Sequence, residues 1–117
     1  MPTIRDVVGA LAARRGVDAV IILGLDGLPI DAHAADGLDT EGLAALVPSV
    51  VASCNKLGGA AGRGGFATSV VEYSEGLVLV AEITPEALLA IFFKPNTNVG
   101  SLLYELRRHR AAIAQLL

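Results

Sequence analysis

The sequence predicts an α+β fold: a five-stranded, mainly antiparallel sheet with helices on both faces, in the order α-β-β-α-β-β-β-α. Three observations carry this. The apolar period switches between helical and strand spacing in that order along 117 residues. Consecutive strands leave no room for a crossover helix except at Thr40 to Leu57, so most neighbours must run antiparallel. Leu77-Val78-Leu79-Val80-Ala81 and Leu88-Leu89-Ala90-Ile91-Phe92-Phe93 are apolar on both faces, so the sheet is covered on both sides.

Each element has its own signal. From Thr3, the residues Ile4, Val7, Val8 and Leu11 recur at helical spacing, with Thr3 as cap, Asp6 in the first turn and Gly16 as the stop. Val17 to Leu23 is rich in β-branched residues, and Asp26-Gly27 turns the chain into a second strand, Leu28 to Ala32. Pro29 cannot donate to a ladder, which suits an edge strand. His33 to Asp39 reads as a polar loop ending in Asp39-Thr40, either of which can cap the next helix.

That second helix, Thr40 to Leu57, is the most informative element. At 100° per residue Leu43, Leu46, Val47, Val50, Val51, Cys54 and Leu57 share one arc, which is expected to face the core. The opposite side, Ala45, Ser49, Ala52, Ser53 and Lys56, is small and nearly uncharged where a solvated face normally carries several Glu and Lys. Pro48 lies inside the run at a cost of roughly 3 kcal/mol, so a bend at Ala44 to Pro48, or a helix broken in two, is expected. Gly58 to Gly65 reads as a flexible connector with Arg63 exposed. Phe66 to Tyr73, Leu77 to Ile83 and Leu88 to Phe93 read as three strands, the first pair closed by Ser74-Glu75-Gly76. Asn98 to Leu117 is a last amphipathic helix, with Val99, Leu102, Leu103, Leu106, Ile113 and Leu117 opposite Glu105, Arg107 and Arg108. No repeat or linker interrupts the chain, so residues 1–117 form one domain.

Composition narrows the function. With 9 Lys+Arg against 12 Asp+Glu the net charge is −3, and there is no basic stripe to neutralise phosphates, which argues against nucleic acid. A hydrophobic fraction of 53% with only 18% charged residues is more apolar surface than one small core absorbs, and it points to an interface. The small face of the second helix is where a second copy fits, because Ala and Ser let another backbone approach closely; a closed two-fold homodimer is the commonest arrangement of this kind. The lone Cys54 forms no intramolecular disulfide, and Met1-Pro2-Thr3-Ile4-Arg5-Asp6 contains no apolar signal core, so a cytoplasmic protein is expected. The longest uncharged stretch, Gly42 to Asn55, is too short to span a bilayer, and no membrane insertion is expected.

The residues offer little chemistry of their own. Gly62-x-Gly64-x-x-Ala67 matches part of a dinucleotide fingerprint, but that motif needs a strand before it and a helix after it, and here the order is reversed. No Gly-Lys-Ser/Thr is present, so any nucleotide belongs to a partner. His33 and His109 lack further ligands at metal spacing, and Cys54 reads as inert core. Glu72, Glu75, Glu82 and Glu86 read as solvated strand edges and turns. No catalytic residue, cofactor or metal site is expected.

Several stretches resemble the roadblock / dynein light-chain domain family: Gly16-Val17-Asp18-Ala19-Val20-Ile21-Ile22 running into Asp26-Gly27-Leu28-Pro29-Ile30, the long apolar second helix, Glu82 in the middle hairpin, and Asn98-Val99-Gly100-Ser101-Leu102-Leu103 leading into Glu105-Leu106-Arg107-Arg108. Each is weak alone, but their order and spacing span the whole chain. The resemblance implies a profilin-like roadblock sandwich that dimerises through its second helix and third strand, joining two five-stranded sheets. It implies a regulator that binds a small Ras-like GTPase and stimulates its hydrolysis by rearranging the partner's own switch loops, as the family's gliding-motility regulators do. Ala45, Ser49, Ala52, Ser53 and Lys56 would then form the dimer groove and partner contact, and Phe66, Thr68, Val70 and Glu72 would pair across the two-fold. Pro48 and the short terminus depart from some such regulators. A structural adaptor dimer, holding two proteins together without changing a GTPase rate, uses the same surface. Arg63 could serve as an arginine finger only if something ordered it, and nothing in its glycine-rich surroundings does.

Overall fold

Thr3 starts the first helix, α1 (Ile4–Ala12), through a reciprocal capping box: its hydroxyl accepts from the Asp6 N–H and the Asp6 carboxylate accepts from the Thr3 N–H at 2.8 Å. The chain, seen in a computed structural model that describes residues 2–117, then forms β1 (Val17–Gly24), β2 (Pro29–Ala34), α2 (Thr40–Ala60), β3 (Thr68–Tyr73), β4 (Gly76–Thr84), β5 (Ala87–Phe93) and α3 (Gly100–Ala114). The five strands make one sheet in the order β2-β1-β5-β4-β3, and all four ladders are antiparallel. The element order and sheet are those the sequence predicts.

The central strands carry the core. Val20, Ile22, Leu79, Leu89 and Ile91 meet Val8 and Leu11 of α1 and Leu102, Leu106 and Ile113 of α3 on one face. Ile21, Leu23, Val80, Leu88 and Ala90 meet Ala44, Val47 and Val51 of α2 on the other. Alternation along each strand sends successive residues to opposite layers, so β1 and β5 are apolar at nearly every position.

Three local expectations are corrected. β2 extends to Ala34, with His33 paired to Val20, because the ladder to the fully buried β1 outweighs the polar side chains that suggested a loop. Pro29 does lie on an edge strand, at a shift of register against Leu23.

α2 is neither broken at Pro48 nor ended at Leu57; it runs for 21 residues. Asp39 caps it by accepting from the Gly42 N–H at 3.2 Å, and the turn before β2 is packed beneath it. Gly27, at φ +82, lies so near that a Cβ there would stand 3.2 Å from the Ala45 Cα. By length and composition α2 could cross a bilayer, which the run Gly42 to Asn55 alone does not show. Here one narrow stripe of it covers a sheet.

The glycine-rich segment after α2 is fastened, not free. Gly58 and Gly59 continue the helix, the Arg63 N–H donates to the Gly58 carbonyl at 2.8 Å, and Asn55 Oδ1 accepts from the Phe66 N–H at 2.7 Å. The Gly64 carbonyl would lie 2.8 Å from a Cβ at position 58, so that glycine admits the returning chain. Arg63 itself is exposed.

Candidate functional site

The expected core arc of α2 is only partly used. Ala44, Val47 and Val51 are buried, but Leu46 is 66% exposed, Val50 39% and Leu57 71%, while Leu43 and Cys54 are half-buried. The sheet meets one flank of the arc, on the side of Ala44 and Val51, and the flank holding Leu46, Val50 and Leu57 stands clear of it. Cys54 is therefore not an enclosed core thiol.

That exposed flank borders the third strand. Leu43, Leu46, Val47 and Val50 of α2 and Val71, Tyr73, Val78, Val80 and Phe92 of the sheet line an apolar groove of about 160 Å³. Tyr73, at 59% exposure, stands at its rim. β3 pairs only with β4, so its other edge presents unpaired backbone groups. Helix flank, groove and strand edge together form one continuous apolar surface. The accessible area agrees: 7013 Å², against roughly 6,000 Å² for a compact monomer of this mass.

The sequence-selected residues fall around this surface in two groups. Ala45, Ser49, Ala52, Ser53 and Lys56 are all exposed on α2. By helical angle Ser53 and Ser49 continue the exposed flank, whereas Ala45 and Ala52 lie on the far side of the helix. On β3, Thr68 and Val70 stand opposite Ala81 and Leu79, and Glu72 follows at the same spacing. They therefore lie on the α1/α3 face of the sheet, with Arg110 of α3 donating to the Thr68 hydroxyl at 2.6 Å. Phe66 packs instead into the α2 layer. The structure thus brings Phe66 and the α2 residues to one face, and Thr68, Val70 and Glu72 to the other, sharing only the strand edge.

Leu46, Val50, Val71 and Tyr73 are groove residues that sequence reasoning missed, and Leu57 lies exposed on the same flank of α2. The surplus of apolar side chain was the available signal for them.

Among the described residues no three His, Cys, Asp or Glu side chains lie close enough to hold a metal ion. His33 on β2 and His109 on α3 are both exposed and occupy different elements. A larger hollow of about 440 Å³ lies between the end of α1 and the start of α3, lined by Arg14, Arg15, Asn96, Asn98 and Ser101 among others. Its Arg14 is already engaged with Glu105 at 2.6 Å and Ser101 at 3.3 Å.

The family model of the Roadblock/LC7 domain matches residues 3–93. The chain belongs to the Roadblock/LC7 family. Among solved structures this roadblock domain is similar to the gliding protein MglB from Thermus thermophilus, at 20% identity, TM-score 0.82, 97% of this chain and 87% of that one. It is similar to Myxococcus xanthus MglB at 18% identity and TM-score 0.85, over 97% and 93% of the two chains. It is also similar to an MglB with a tetrameric arrangement, at 20% identity and TM-score 0.83, over 97% and 86%. At such identities the likeness is one of fold. No curated protein sequence matches the chain.

Proposed function

We propose that this roadblock domain is a non-catalytic homodimeric regulator that binds a small Ras-like GTPase and stimulates its hydrolysis. The observation that carries the reading is the continuous apolar surface of Leu46, Val50, Leu57, Val71 and Tyr73 beside the open β3 edge. Water disfavours such a patch, and pairing two β3 edges would satisfy the backbone while the two α2 flanks cover the apolar side chains. The similar MglB with a tetrameric arrangement supports self-assembly as a use of this fold. The GTPase follows from the family resemblance and from an apolar surface suited to protein contact. Ala45 and Ala52, facing away from the sheet, then remain for a second protein.

The adaptor reading uses the same dimer, so the test must separate binding from rate. Light scattering gives the mass of the wild type and of Ala52→Glu, and a candidate Ras-like GTPase is assayed for turnover with and without each; Ala52→Glu, on the side of α2 away from the dimer surface, is expected to stay dimeric and to weaken the effect on the GTPase. A wild-type mass near twice 12.0 kDa with faster turnover supports the regulator. Ser49→Arg is expected to abolish both GTPase binding and acceleration. A dimer that binds the GTPase and leaves its rate unchanged refutes regulation and leaves the adaptor; a monomer refutes both.

A further inference from the structure

Resting on the homodimer proposed above, the structure also carries the alignment of its two β3 strands. The Glu82 N–H donates to the Ala67 carbonyl at 3.0 Å, and Thr68 stands opposite Ala81. Ala67, Ser69, Val71 and Tyr73 therefore turn their backbone groups toward β4, and Thr68, Val70 and Glu72 turn theirs to the open edge, since the two kinds of pair alternate. A second antiparallel β3 must oppose outward residues to outward residues. Three alignments form at least two such pairs, with the two-fold axis at residue 69, 70 or 71. Only the one at Val70 uses all three outward residues of each strand; the others leave one unpaired. All three keep both α2 helices on the same face of the joined sheet.

Charge selects the same alignment. Arg110 reaches β3 from α3, where its one hydrogen bond goes to the Thr68 hydroxyl. Its Nε is buried without a partner, and among the described residues no carboxylate pairs with its guanidinium. Glu72, on the same face of β3, is exposed and equally without a cation. With the axis at Val70, Thr68 lies directly opposite Glu72 of the partner subunit.

We infer that a second copy of this chain docks with Val70 on the two-fold axis, so that Arg110 of each protomer pairs with the partner's Glu72. The two reciprocal ion pairs fix the register of the joined sheet. Directly opposed residues have side chains within mutual reach, and a partly desolvated arginine gains most from a carboxylate.

The experiment mixes charge reversals. Glu72→Arg alone and Arg110→Glu alone each place like charges together twice, and each dimer is expected to dissociate with a constant raised about tenfold or more. Mixed one to one, the two variants restore both pairs, so native mass spectrometry should show the heterodimer as the dominant species. A statistical mixture refutes the ion pair. In case Arg110→Glu does not fold, cysteines placed in a Cys54→Ser background read the register directly. Val70→Cys is expected to cross-link on oxidation, its Cα atoms lying about 5.5 Å apart, and Ser69→Cys and Val71→Cys are not. Cross-linking at 69 or 71 instead overturns the alignment and keeps the dimer. A wild type that is monomeric and cross-links nowhere removes the dimer itself.

Discussion

Truncating Leu46 to alanine separates what holds a protomer together from what joins two. The side chain is 66% exposed on α2, so its loss should leave the fold of each protomer intact, and alanine is the better helix former. Complete burial of a leucine side chain contributes roughly 1.5–3 kcal/mol. About two thirds of that, roughly 1–2 kcal/mol, is still available when a second copy covers the groove. Two-fold symmetry applies the loss twice, giving about 2–4 kcal/mol and a dissociation constant raised roughly 30- to 700-fold. Sedimentation equilibrium over a range of concentrations measures this, with circular dichroism confirming unchanged helix content. A constant within about threefold of wild type, a shift under roughly 0.7 kcal/mol, would show that this flank of α2 stays in water and would refute the placement of the interface.

Two further predictions concern the protomer. Gly27→Ala puts a side chain at φ +82 and 3.2 Å from the Ala45 Cα; it should destabilise by about 1–3 kcal/mol, read as a lower urea midpoint, and an unchanged midpoint would mean that the turn moves aside freely. Pro48→Ala should stabilise, because the roughly 3 kcal/mol cost of an interior proline exceeds the ~1 kcal/mol by which proline restricts the unfolded chain; a lower midpoint in the same titration would show that the proline fits its site without cost.

Much of this fold was legible in the sequence because local chemistry and global arrangement agree. Thr3 and Asp6 form the box their spacing implies, Asp26-Gly27 turns β1 into β2, and the double-faced apolar runs at β4 and β5 lie between two layers. What failed was relational. A helical wheel shows that Leu43 to Leu57 share an arc, yet a stripe wider than one contact leaves open which flank the sheet covers, and the sheet took Ala44, Val47 and Val51. Strand parity likewise groups Thr68, Val70 and Glu72 without saying which layer they face, since a shift of one residue exchanges the faces. The helix is not broken at Pro48, because the packing that holds α2 over Gly27 and the sheet outweighs the penalty for an interior proline. The site was legible as a need for contact rather than as a set of side chains.

The strand order has a consequence for how the protein is made. β1 lies between β2 and β5, and its Ile21 pairs with Ala90 across more than half the chain. During synthesis the hairpin of β1 and β2 emerges early with Val20, Ile21, Ile22 and Leu23, all fully enclosed at the end; α1 is already made and can cover one face, α2 follows for the other, but one edge of β1 stays bare. That edge stays unfilled until β5 has left the ribosome, so formation of the central sheet waits on one long-range closure and cannot proceed strand by strand. Until then the nascent chain displays an unpaired, strongly apolar strand edge, the kind that invites pairing with another chain.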